Sequence, residues 1–143
     1  MNLFRNLEIS ATALTAERLR MDIISNNIAN ANTTRTKDGG PFQRQVPVFA
    51  QVLDQTLTGQ GTVVAKPGGV KVAGIQADNR PPRLVYDPSH PDANEQGYVA
   101  YPDINIVTEM VDLIGASRSY EANISAFNAA KDMFRAALEM GRV

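Results

Sequence analysis

The chain has no cysteine, so a disulfide framework and a thiolate metal site are both excluded and the fold is indifferent to redox compartment. Its 143 residues carry a formal net charge of −1 and no cluster of Lys and Arg. That leaves no electrostatic footprint for nucleic acid or an anionic membrane. No apolar run approaches the ~18 residues of a spanning helix, so no direct lipid insertion is expected. The N-terminus also lacks a basic segment followed by an apolar core, so neither a cleavable secretory signal nor a membrane anchor is expected. Glu8, Glu17 and Asp22 argue against an organelle transit peptide, because such peptides are poor in acidic residues. If the protein leaves the cytoplasm, it does so by another route.

Catalytic groups are scarce as well. His90 is the single histidine, and no Gly-x-Ser-x-Gly elbow surrounds any serine, so nucleophilic catalysis has no base to rest on. An enzymatic reading would have to use Asp87, His90 and Asp92. One imidazole and a few carboxylates in the Pro-rich loop Asp87–Glu95 make a better turn, held by Asx hydrogen bonds, than a metal site with converging ligands. Gly59-Gln60-Gly61 and Lys66-Pro67-Gly68-Gly69 lack the spacing of phosphate-binding loops and read as turns. No metal, no cofactor and no catalytic residue is expected.

What the chain does have is helical periodicity at both ends. Ile106, Leu113, Tyr120, Phe127 and Phe134 recur at intervals of seven, with Met110, Ile124 and Leu138 each four residues after a member of that row. Two such rows predict a seam along one helix from Ile104 to Leu138. At 1.5 Å per residue it would run roughly 50 Å, longer than a domain of this size needs to enclose a private core. Asp103 or Asn105 is its candidate N-cap, and Glu109 and Asp112 suit its positive end. Ser117, Lys131 and the small Gly115 interrupt the seam, which favours packing against several neighbours over a dry two-stranded coiled coil. Near the N-terminus, Leu7, Leu14, Met21 and Ile28 repeat the interval, with Leu3, Ala11 and Ile24 on the same side. They predict a second helix from Leu3 to about Ala31, capped by Asn2 and closed by the asparagines of Ser25–Thr34.

The interval between the helices is different in kind. All eight prolines and eight of the ten glycines lie between Gly39 and Pro102, so no long helix crosses it. Short β-prone runs are expected at Val46–Leu53, Thr62–Ala65, Val70–Ile75, Arg83–Tyr86 and Tyr98–Tyr101. Pro47 would hold the first at an edge, and Val70–Ile75 with Arg83–Tyr86 is the best candidate hairpin. The organisation expected is α+β, with long N- and C-terminal amphipathic helices paired as a coiled-coil-like hairpin and flanking a small loop-rich β module. The corresponding segments are 1–34, 35–102 and 103–143.

Two stretches resemble signatures of the bacterial flagellar basal-body rod proteins. Ser25-Asn26-Asn27-Ile28-Ala29-Asn30-Ala31-Asn32-Thr33 is similar to the SNNIANxNT motif that closes the family's first helix. Glu109-Met110-Val111-Asp112-Leu113-Ile114-Gly115-Ala116-Ser117-Arg118-Ser119-Tyr120-Glu121-Ala122-Asn123 is similar to its EMVxLIxASRxYEAN motif. In the middle, Pro82–Asn94 and Gly97–Pro102 resemble the proximal-rod branch of the family, so the likeness covers effectively the whole chain. Thr34-Arg35 departs from it, standing where many relatives have Gly and an aromatic residue.

The resemblance implies a structural, non-enzymatic subunit of the basal-body rod. Such a subunit polymerises helically through its terminal helices and passes torque from motor to hook. Its partners would be other copies of itself, other flagellar rod proteins (the FlgB, FlgF, FlgG and FliE types) and the flagellar type III export apparatus, with no nucleic acid. Its place would be the rod crossing the periplasm, reached without a cleavable signal. The expected assembly interface is Leu7, Leu14, Met21, Ile28, Met110, Leu113, Tyr120, Ile124, Phe127, Phe134 and Leu138. The alternative is a soluble helical binding module, an adaptor or export chaperone that sequesters an amphipathic segment.

Overall fold

A computed structural model describes residues 3–37, 39–57 and 63–141. In chain order the elements are α1 (Leu3–Ala29), β1 (Gln45–Leu57), β2 (Val63–Ala77), β3 (Arg83–Tyr86), β4 (Tyr98–Tyr101) and α2 (Ile106–Met140). Two long helices therefore flank a module of two antiparallel two-stranded sheets, β1 with β2 and β3 with β4.

The end of α1 and the start of α2 lie where polar side chains take over backbone hydrogen bonds. Asn30 Nδ2 donates to Asn26 O and to Asn26 Oδ1 at 2.9 and 2.7 Å, and Thr33 Oγ1 donates to Asn30 Oδ1. This asparagine lattice ends α1 at Ala29, two residues before the expected Ala31, because the side-chain bonds compete with continued helix. The expected cap Asn2 lies outside the described residues. At the start of α2, Asn105 rather than Asp103 is the N-cap: its Oδ1 accepts from Val107 N at 3.0 Å and Thr108 N at 3.3 Å, satisfying two of the orphan donors of the first turn.

The strands correct the expected pairing. Val70–Ile75 does not pair with Arg83–Tyr86. β2 pairs with β1 along a ladder running from Gln45↔Ala77 to Leu57↔Val63, and β3 pairs with β4 from Arg83↔Tyr101 to Tyr86↔Tyr98. Like lengths match: 13 residues against 15, and four against four. The expected break at Lys66–Gly69 is also absent. There the ladder shifts register between Val52 and Leu53, so the Pro-Gly-Gly segment is absorbed as a bulge instead of ending the strand. Thr62, the expected start of this strand, is not among the described residues. Pro47 sits in a strand with one neighbour, which leaves a free edge for a residue without an N–H. Between β3 and β4, Asn94 Oδ1 accepts from Gln96 N and Tyr98 N, and the Tyr86 and Tyr98 rings meet edge to face at 5.3 Å.

α1 packs against α2, β1 and β2, whereas α2, among the described elements, packs on α1 alone. The core between them is made of small and branched residues: Ala16, Ile23 and Ile24 from α1, Ala31 from the turn after it, and Ala116 and Ala130 from α2. At the far end Phe4 and Phe134 meet edge to face, with centroids 5.2 Å apart.

Candidate assembly surface and polar clasp

The buried row of α2 is Glu109, Ala116 and Ala130, with Asn123 half-buried between them. These residues fall at multiples of seven and lie three places after the row of large residues. The packed seam therefore pairs the row Leu113, Tyr120, Phe127 and Phe134, all half-buried, with a row of small and polar residues. The sequence expectation chose the row four places on. Met110, Ile124 and Leu138 are instead exposed, because 3.6 residues per turn carries position +4 out of the seam that positions 0 and +3 define. Of the interruptions, Ser117 is half-buried and Lys131 is exposed. On α1, Leu7, Leu14, Met21 and Ile28 are half-buried, flanked by the buried Ile24 and, just past the helix end, the buried Ala31.

The opposite side of α2 is unusual. Val107, Met110, Val111 and Ile114, spaced i, i+3, i+4, i+7, are 70, 53, 63 and 55% exposed. Together with Ile106 and Leu113 they make about half of the circumference of the first three turns apolar. An apolar stripe of this width on a helix is characteristic of a face that is covered.

A polar clasp closes the top of the helix pair. Asn27, in the last turn of α1, is 1% exposed and holds the first residue of β1 at two points: its Nδ2 donates to Gln45 O, and Gln45 N donates to its Oδ1, each at 2.9 Å. The same Nδ2 donates to Glu109 Oε2 at 3.1 Å. Glu109, also 1% exposed, receives Arg44 Nε on its other oxygen at 2.6 Å and Arg44 Nη2 on that oxygen at 2.6 Å. Both carboxylate oxygens are thus satisfied, which is the condition under which a buried charge is tolerated. Arg44 also approaches Asp112 and Asp78 at 3.7 and 3.9 Å. Asp78 takes Arg80 at 2.8 Å, and Arg80 reaches Asp103 at 3.2 Å. The Arg80 hydrogen bond, with its charge, holds the Asp78 carboxyl below the usual carboxylate range and raises Arg80 in turn. Glu109 was expected as a first-turn charge beside the helix dipole; its side chain instead turns inward to Arg44.

The ribbon is fixed to α1 lower down. Gly69 has φ +116°, and a Cβ there would land on the Thr12 hydroxyl. Only glycine permits this conformation and this approach together. Val70 N donates to Thr12 Oγ1 at 3.3 Å, and Arg5 Nη2 donates to Pro67 O at 2.5 Å. The departure from the family pattern at Thr34-Arg35 also has a local role. Thr34 Oγ1 donates to Asp92 Oδ2 at 2.8 Å and Arg35 pairs with the other oxygen at 2.5 Å, tying the exit of α1 to the loop before β4.

In that loop His90 Nδ1 accepts from Asp92 N at 3.1 Å. Asp87 accepts from Ser89 Oγ and Ser89 N, bonds that hold its carboxyl below the usual range. Asp87, His90 and Asp92 are thus engaged in turn and loop contacts.

Sequence reasoning missed Asn27, Arg44 and Glu109. The signal for Glu109 was a carboxylate three places after Ile106, in the row that faces α1.

Comparison with known proteins agrees with this architecture. Residues 7–37 match the family model described as flagella basal body rod protein. Residues 95–140 match the one described as flagellar basal body rod FlgEFG protein C-terminal. These two matches cover most of α1 with its exit loop and all of α2. The chain is 46% identical to the flagellar basal-body rod protein FlgC of Borreliella burgdorferi, over 96% of this chain and 97% of that one. It is 43% identical to the FlgC of Bacillus subtilis, over 99 and 100%, and 41% identical to that of Aquifex aeolicus, over 97% of each. The chain belongs to the flagellar basal-body rod protein family. It is a structural subunit of the basal body, not an enzyme.

Proposed function

We propose that this subunit belongs to the proximal rod and polymerises helically through α1 and α2 with sister copies and other rod proteins, forming part of the shaft that passes torque from motor to hook. The observation that carries this reading is the apolar outer face of α2: Val107, Met110, Val111 and Ile114 are each more than half exposed. The assembly interface then has two layers. Leu7, Leu14, Met21, Ile28, Leu113, Tyr120, Phe127 and Phe134 hold the helix pair, and Met110, Ile124 and Leu138 join the outer row in meeting neighbouring subunits. Contacts of this heterologous kind need not close into a ring and so build an open helical polymer. Export through the flagellar type III apparatus, and a final position where the rod crosses the periplasm, complete the proposal.

Met110→Asp tests it. The residue is exposed in the single chain, so soluble levels should stay normal while rod assembly and motility are lost. Normal motility in this variant, with the protein present in basal bodies, overturns the outer-row assignment.

A further inference from the structure

We infer that Asn27, Arg44 and Glu109 form a latch that locks the β1/β2 ribbon in its seat on the helices once α1 and α2 have paired. Its three members come from three parts of the chain: the last turn of α1, the residue before β1 and the first turn of α2. The shortest contacts in the set, Arg44 to Glu109 at 2.6 Å, join the root of the ribbon to α2, although β1 and β2 themselves pack on α1. Asn27 uses one amide nitrogen for both Gln45 O and Glu109 Oε2, so it is fully engaged only when the ribbon root and α2 are both in place. With the helices apart, Glu109 and Arg44 keep their hydration and the ribbon root is held by Asn27 alone. With the helices together, Glu109 is buried and must take Arg44 and Asn27 as the replacement for water. Pairing of the terminal helices is thereby converted into an orientation of the ribbon.

The absence of cysteine makes a two-reporter cross-linking test clean. In the full-length chain, Phe4→Cys with Phe134→Cys reports helix pairing, since those rings are in contact. Thr12→Cys with Val70→Cys reports ribbon docking, since Val70 N meets the Thr12 hydroxyl. Each pair is treated with a short bismaleimide. Ala116→Asp, which places a carboxylate at a fully buried seam position, should abolish the helix cross-link and lower the ribbon cross-link. The paired replacement Arg44→Met with Glu109→Met should keep the helix cross-link and lower the ribbon cross-link about fivefold or more, the population change produced by roughly 1 kcal/mol of lost coupling. Arg44→Lys, which keeps the charge but not the fork, should lower the ribbon cross-link alone and so guards against general misfolding in the double variant. The latch is overturned by a ribbon cross-link that stays at the parental level in Ala116→Asp, by parental levels of both cross-links in the double variant, or by loss of the helix cross-link in Arg44→Lys.

Discussion

α1 and α2 carry the same seven-residue repeat and are buried in different ways. α1 lies between α2 and the ribbon, and the only large apolar side chain it leaves exposed among its described residues is Phe4. α2 has α1 on one face and exposes Ile106, Val107, Met110, Val111, Ile114, Ile124, Met133, Leu138 and Met140. Similar repeats therefore do not mean similar surroundings. The repeat marks the contact shared by the two helices, and what lies outside the repeat separates the helix completed by its own chain from the one left for neighbours.

The sharpest way to break this comparison is to place the same charge on the two faces of α2. Ala116→Asp should cost on the order of 5 kcal/mol or more, because an unpaired carboxylate would replace a fully buried methyl group. Val111→Asp, on the exposed face, should change the stability of the single chain by no more than about 0.5 kcal/mol. Urea unfolding followed by helical circular dichroism measures both. Equal losses would mean that the outer face is packed within the chain after all.

Next in size is the clasp. Arg44→Met strands Glu109 with only Asn27, and removing one partner of a buried pair typically costs about 3–5 kcal/mol. Adding Glu109→Met should recover much of the loss, because an apolar pair of similar volume replaces the charges. A double variant no more stable in urea than the single one would show that the carboxylate is not a burden once Arg44 is gone.

A smaller effect is expected where the ribbon meets α1. Gly69→Ala puts a Cβ both at φ +116° and against Thr12, at a cost of about 1–3 kcal/mol for the backbone strain. The Thr12→Ala background removes the hydroxyl that the new Cβ would strike but leaves the strain, so the penalty there should shrink without vanishing. Thermal unfolding of the four combinations separates the two contributions. No penalty in either background would mean that the ribbon does not sit on α1 at this point.

The long helices and four strand regions were legible in the sequence because each rests on a local rule: a seven-residue repeat, an asparagine cluster, β-branched runs between Gly and Pro. Pairing was not. Pro67-Gly68-Gly69 reads as a turn by every local rule and becomes a bulge only because β1 is present to continue the ladder and α1 to accept Gly69. The second row of the seam was misplaced for a related reason. Counting large apolar residues selects Met110, Ile124 and Leu138, but where two helices approach closely the buried positions take Ala116 and Ala130, whose small size hides them from such a count. Glu109 was legible as a charge near a helix start, and its burial was not, because Arg44 lies 65 residues away.

The smallest expected effect concerns the remaining tie between α2 and the module. Arg80 bridges Asp78, at the end of β2, to Asp103, just ahead of α2. The Asp78 carboxyl is held below its ordinary range chiefly by the Arg80 hydrogen bond. A depressed carboxylate contributes stability that is present above the unfolded-state value and disappears as pH falls through the lower folded-state value. The contribution should therefore be intact at neutral pH and lost only in the acid range below ordinary aspartate titration. Because the pair is exposed, the effect should be small and weakened by salt. Between pH 6 and pH 3 at low ionic strength, the melting temperature of the parent should fall slightly more than that of Asp78→Asn, and the difference should close in high salt. An identical acid slope in the two proteins would remove Arg80 from the ties that hold α2, leaving the Arg44–Glu109 clasp and the α1 seam to fix its position.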